Sequence, residues 1–444
     1  MNKYAAAGII CTAAMALSGC VLGNSVDSLL SPPEISEEQR DIFDALKKAA
    51  GSNISLQYPR SGSYRSAFIT EDIDSDGVKE SVAFYMRSAD GMPSDGKNDG
   101  SLRVNILDSV DGSWYSACDF AASGAAIDRV IVSQIGNSGR TQLIIGCTNT
   151  SGDKSFRSYV YSGKTLVNTY ADSYTSMFVS DLDKDGFQEL SVIHGNDPFT
   201  GRKAFFSLIT DDGESVFSSS IVNLNDRTSE YANIAVGRVG EDTPAVFIDG
   251  VTGRMASTEI IYCINGILRN PLYLSESENI AKTVRPSEYL SMDIDLDGIV
   301  EIPTQSYFPG YSSESTDPFL ITNWNVMESF EIVKKYSGYF DLNNGFCFIL
   351  PNRWDRVVTV KSDSKTGDIV FLKYSGDIIS STEELVRLTA VSKGEYKIKL
   401  AQGYKFIRSR DNVYYMYRTP ADTDEPLILT ESEIINNFRI INSR

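Results

Sequence analysis

Apolar and polar positions fall into three regimes along the 444 residues. Behind Lys3 runs an apolar stretch from Ala5 to Ala16, too short to span a bilayer. Residues 34–50 then carry apolar positions at helical spacing. Ile42, Phe43, Leu46 and Ala49 fall on one stripe, Glu37 and Glu38 occupy the first turn and Gly51 follows the last, which predicts one amphipathic helix. From about residue 60 the period shortens. Short runs rich in β-branched and aromatic residues alternate with turn residues, as successive strands do.

Within that β-rich region a nine-residue motif repeats. Asp72-Ile73-Asp74-Ser75-Asp76-Gly77-Val78-Lys79-Glu80 returns as 181–189 and again as 293–301, each copy fitting DxDxDGxxE between two apolar runs. Two eroded copies, beginning at Gln134 and Gly237, keep the flanking runs and lose the acids. Starts at 72, 134, 181, 237 and 293 recur at a mean of about 55 residues, enough for one four-stranded sheet each. The expected fold is therefore mainly β: a β-propeller of about five four-stranded blades over residues 60–336, then a small α+β domain over 337–444. In that tail, runs at 346–350, 357–361, 369–374, 404–408 and 413–417 predict strands. Ser381 with Glu384, and Thr430 with Glu433, read as capping boxes opening helices to about Val391 and Ile441.

The repeated loops carry the candidate chemistry. Short carboxylates at positions one, three and five can converge on one point, Gly at six permits the turn, and oxygen-only ligands suit a hard cation such as Ca2+. The expected ligands are Asp72, Asp74, Asp76, the Val78 carbonyl and Glu80; Asp181, Asp183, Asp185, the Phe187 carbonyl and Glu189; and Asp293, Asp295, Asp297, the Ile299 carbonyl and Glu301. An EF-hand needs an acid at position twelve and flanking helices, whereas position twelve here is Ala83, Val192 or Thr304. The loops resemble the calcium loops of FG-GAP or VCBS repeats, the propeller repeats of integrin α subunits and bacterial surface proteins. That resemblance implies about three structural Ca2+ ions bracing the blades, and it is weakest at 134 and 237. The run Gly345-Phe346-Cys347-Phe348-Ile349-Leu350-Pro351-Asn352-Arg353-Trp354 loosely resembles the start of PsbP-like domains.

Charge narrows the partners. With 59 acidic and 41 basic residues the formal charge is -18, and no segment supplies the basic cluster that nucleic acid requires. One His excludes His-rich metal sites. Cys118, Cys147, Cys263 and Cys347 form no metal-like spacing, and free thiols or disulfides both stay open. His194 reads as a strand residue, and Trp114, Trp324 and Trp354 as core residues before sugar platforms. No nucleophile motif or phosphate loop appears.

Leu17-Ser18-Gly19-Cys20 resembles the bacterial lipobox. This implies a signal peptide over 1–19, lipid on Cys20, a tether over 20–33, a helical lead-in over 34–59, and export to the outer face of the bacterial cell membrane. The expected role is a non-catalytic binding or interaction module for a protein or glycan ligand. The rivals are a carbohydrate-active enzyme on the same scaffold, acting on polysaccharide or peptidoglycan, and an envelope scaffold protein.

Overall fold

The computed structural model describes residues 36–87, 101–197, 199–213, 217–273, 281–329, 331–421 and 424–441. The signal peptide, Cys20 and the tether lie outside them. Contacts divide the chain into two units: the first ends at Ala122, and the second takes the remainder together with the short stretches 59–65 and 73–76.

The first unit opens with helix α1, Glu37–Ala50. Its N-cap Ser36 accepts the Gln39 N–H at 3.1 Å, and Gly51 ends it at φ +94°. The buried stripe is Ile42, Leu46 and Ala50, a strict i, i+4, i+8 series, so Ala50 packs inward and the expected Ala49 is exposed. This stripe covers Ala83, Tyr85 and Leu107 of sheet one. Sheet one is a meander of Phe68–Glu71, Glu80–Arg87, Leu102–Val110 and Ser113–Ala121, with the short strand Ile54–Leu56 also paired to the second of these.

The second unit repeats the same plan. Sheet two (Ala126–Gln134, Thr141–Thr148, Lys154–Ser162, Thr165–Ser173) and sheet three (Ser176–Ser180, Glu189–His194, Phe205–Asp211, Phe217–Asn223) are four-stranded antiparallel meanders in chain order. Sheet four follows with Glu230–Val239, Thr243–Thr252, Met255–Ile264 and Ile267–Arg269. In sheet five the first strand shrinks to a bridge between Met292 and Glu301, ahead of Ile302–Tyr307, Leu320–Glu328 and Glu331–Asp341. Every motif copy, intact or eroded, joins the first strand of its sheet to the second.

Consecutive sheets of this unit bury each other's faces. Ile144 and Phe156 of sheet two share a core with Leu190, Val192 and Ile209 of sheet three. Ile193 and Phe206 meet Val246, Ile248 and Ile261 of sheet four, whose Phe247 and Ile260 meet Val300 and Ile302. Covered on both faces, strand Glu189–His194 is buried at every position, Ser191 and His194 included, so its burial shows no alternation.

Two sequence expectations change in the tail. The boundary at 336 falls inside strand Glu331–Asp341, and sheet five goes on to Phe346–Ile349 and the late strand Phe438–Ile440. Its Phe346 and Phe348 share a core with Val358, Val360, Phe371 and Leu388 of sheet six (Val358–Ser362, Ile369–Lys373, Glu384–Ser392, Lys405–Arg410, Val413–Arg418). The helix expected after Ser381 is instead strand Glu384–Ser392. Glu384 is drawn off to Arg387 at 3.0 Å, and Ser381 bonds Asp377 and Ser375, so no cap forms there. The working capping box is Ser392 with Glu395, opening α2, Lys393–Ala401; Thr430 with Glu433 opens α3, Glu431–Asn437. No helix among the described residues is long and apolar enough to cross a membrane.

Candidate metal centres

The three intact loops share one backbone. Position four takes positive φ in each (Ser75 +67°, Lys184 +63°, Leu296 +64°), as does the glycine at six (Gly77 +89°, Gly186 +93°, Gly298 +86°). The position-one carboxylate accepts the Gly N–H across the turn: Gly77 to Asp72 at 3.0 Å, Gly186 to Asp181 at 3.1 Å, Gly298 to Asp293 at 2.7 Å. Ile73, Leu182 and Ile294 at position two are buried and anchor the turn. In the third and fifth loops their N–H groups donate to the position-nine carboxylates, Leu182 to Glu189 at 2.8 Å and Ile294 to Glu301 at 2.9 Å.

The third loop is the most complete centre. Asp181, Asp183, Asp185 and Glu189 each offer one oxygen, all within 4.8 Å of one another. Asp181 Oδ1 is buried there with no hydrogen-bond partner. Burial, and then the charges of Asp183, Asp185 and Asp181, push the Glu189 carboxyl up to about 7. Burial and the charge of Asp185 raise Asp183 likewise. A buried oxygen left unpaired among converging carboxylates is what a hard cation would complete, so the donor set fits Ca2+. Phe187, whose carbonyl completes the expected set, donates its N–H to Asp185 at 2.8 Å.

In the first loop Glu71 pairs with Glu80, which is buried, and Asp72 and Glu80 bring oxygens within 4.8 Å. Asp74 accepts the Asp76 N–H at 3.3 Å, and Val78 exposes its side chain. The fifth loop gathers Asp293, Asp295 and Asp297, but a side chain absent from the motif has joined it. Lys335 Nζ lies 2.6 Å from Asp297, 2.8 Å from Glu301 and 2.9 Å from Asp295, and the Tyr336 hydroxyl donates to Asp295 at 2.6 Å. Burial works to raise Asp295, yet the bonds from Tyr336 and Lys335 prevail and hold it below the ordinary range. Burial pushes Glu301 up to about 7 against the bond from Lys335. Ile299, whose carbonyl is the remaining expected ligand, pairs with Arg238 of the fourth loop.

The eroded loops are held by arginine. Arg140 reaches Asp211 of sheet three at 2.6 Å, joined there by Ser138 and Gln142. Arg238 donates to the Glu241 carbonyl at 2.6 Å and to the Asp297 carbonyl of the fifth loop. Sequence reading missed both residues, although each lies inside the nine positions of its eroded copy.

The remaining candidates are structural. His194 is buried, stacked on Phe205 at 4.0 Å and bonded to Ser207, and burial lowers it to about 4. Trp324 and Trp354 are buried, and Trp114 packs at the α1 core. Cys118, Cys147, Cys263 and Cys347 are free thiols. A cleft of about 860 Å³ opens where sheet five meets sheet six, lined among others by Tyr307, Asn323, Lys334, Tyr336, Asn352 and Arg356.

No family model and no curated protein matches the chain. Among solved structures it is similar to the exotype rhamnogalacturonan lyase YesX (10% identity, TM-score 0.28, covering 72% of this chain and 61% of that one). A Bacillus licheniformis rhamnogalacturonan lyase gives 12% identity and TM-score 0.25, covering 75% and 64%. A hypothetical selenium-binding protein from Sulfolobus tokodaii gives 12% and 0.29, covering 72% and 87%. The chain thus spans under two thirds of the length of these lyases. At such TM-scores the likeness carries no argument about what this chain does.

Proposed function

We propose that the chain is a calcium-braced β-propeller, exported and lipid-anchored at Cys20, that serves as a non-catalytic binding module for a protein or glycan ligand. The observation carrying the metal part is the third loop, where four carboxylates converge around the unpartnered Asp181 Oδ1. The motif's resemblance to FG-GAP repeats supports the same reading, and successive meanders burying each other's faces support the propeller. Asp181, Asp183, Asp185 and Glu189 would hold the ion, which supplies positive charge to a loop that otherwise repels itself. With affinities of ~0.1 to 1 mM, as in extracellular modules, ~1 mM calcium stabilises by roughly 0.4 to 1.4 kcal/mol per site. That braces loops without acting as a switch. The ligand part rests on the cleft beside sheet five, whose tyrosines, amides and two exposed cations, Lys334 and Arg356, suit a polar chain.

The test is thermal melting of the full chain in EDTA and across calcium and magnesium titrations. Calcium should raise the midpoint and magnesium should not, and Asp183→Ala should blunt the response. An unchanged calcium response in Asp183→Ala would contradict the assignment. Release of product from a polysaccharide or from peptidoglycan would favour an enzyme instead.

A further inference from the structure

The fifth loop differs from the third by a cation that the chain itself provides. We propose that Lys335 is the resident cation of the fifth loop, which therefore takes no divalent ion although its motif is intact. The inference rests on the reading that the third loop holds calcium.

Geometry carries it. One ammonium contacts three carboxylates, from positions three, five and nine, at 2.6 to 2.9 Å, with 21% of its side chain exposed. The aim of that side chain comes from a β-bulge. Across strands Leu320–Glu328 and Glu331–Asp341, Trp324 pairs with Tyr336 and Asn325 with Lys334, so Lys335 is the extra residue without a partner. A regular strand sends neighbours to opposite faces, whereas here Lys335 and Tyr336 both reach Asp295.

The same bulge recurs in the fourth strand of other sheets with different contents. In sheet two the extra residue is Thr169, whose hydroxyl donates to Gln142, the position-nine residue of that loop, at 3.0 Å. In sheet one it is Ala117, which carries no charge. Sheet three has no shift in that pairing, and the lysine within its loop, Lys184, turns to Asp242 at 3.0 Å. In sheets two and five the bulge residue thus reaches position nine, and in sheet five it delivers a tethered positive charge. An ammonium already fixed to the sheet loses no translational freedom on binding, unlike a free ion, and it repels any divalent cation among the same oxygens. The oxygen it leaves over, Asp295 Oδ1, is buried and unpartnered, so removing the lysine would leave an ion site ready to fill.

The experiment counts bound ions per full chain after equilibration with calcium, by native mass spectrometry and by elemental analysis. The proposal expects about two ions in the unsubstituted protein, one more in Lys335→Met, no gain in the charge-preserving Lys335→Arg, and one fewer in Asp183→Ala. Three ions in the unsubstituted protein would overturn it while leaving the calcium reading intact. So would Lys335→Met holding no more than the unsubstituted protein with an unchanged circular dichroism spectrum. Should Lys335→Met not fold, Lys335→Gln and the unsubstituted count still decide. No ions in any of these proteins would sink the calcium reading and this inference together.

Discussion

Three buried glutamates, Glu189, Glu259 and Glu301, are pushed up to about 7, and the first two do different work. Glu189 is raised by burial and then by three neighbouring aspartates, whereas Glu259 is raised by burial alone, against bonds from Asn270 and Asn225. For Glu259 the folded value exceeds the unfolded one, so its contribution is fully present below about 4.5 and lost as pH rises through about 7. The rise corresponds to roughly 3 kcal/mol. At saturating calcium, the stability of the unsubstituted protein relative to Glu259→Gln should fall by about that much between about pH 4.5 and 8, as denaturant unfolding would measure. Equal slopes in the two proteins would contradict it. Legibility at this scale was uneven. The acids and glycines of the loops sit in a short linear pattern, but Lys335 is 34 residues after Glu301 and reaches it only through a bulge, which leaves no sequence signature.

Elements are pinned to one another by buried polar clusters as much as by apolar faces. Arg285 and Asp249 are both fully buried and 2.7 Å apart, with Asn233, Thr258 and Ser291 completing their hydrogen bonds. The cluster ties sheet four to the approach to the fifth loop. Asp249→Ala leaves the guanidinium uncompensated and should cost about 3 to 5 kcal/mol in denaturant unfolding; replacing both partners with apolar residues should cost less. A loss below about 1 kcal/mol would mean that water reaches the site. Ser381 shows why element type was misread nearby. Ser-x-x-Glu at 381–384 matches a capping box, but Leu385, Val386, Leu388 and Val391 pack into the strand pattern of sheet six, and tertiary burial prevails over the local signal. The box that does cap, Ser392 with Glu395, lies eleven residues later and precedes a weakly apolar helix.

For the whole molecule, the period of about 55 residues made the succession of sheets legible, since each motif copy marks the turn between first and second strands. The end of the series was not. Sheet five adds Phe346–Ile349 and recruits Phe438–Ile440 from beyond α3, a pairing across some ninety residues that no local pattern reports. In a chain of charge -18 the intact loops gather like charges: lysine meets them in the fifth, calcium is proposed to meet them in the third, and in the second and fourth arginines bond a neighbouring Asp and backbone carbonyls instead. The most direct test is a crystal grown in calcium and measured for anomalous scattering. The account predicts a peak among Asp181, Asp183, Asp185 and Glu189 with oxygen distances of about 2.3 to 2.6 Å. Ordered water there, or no peak at all, would contradict it.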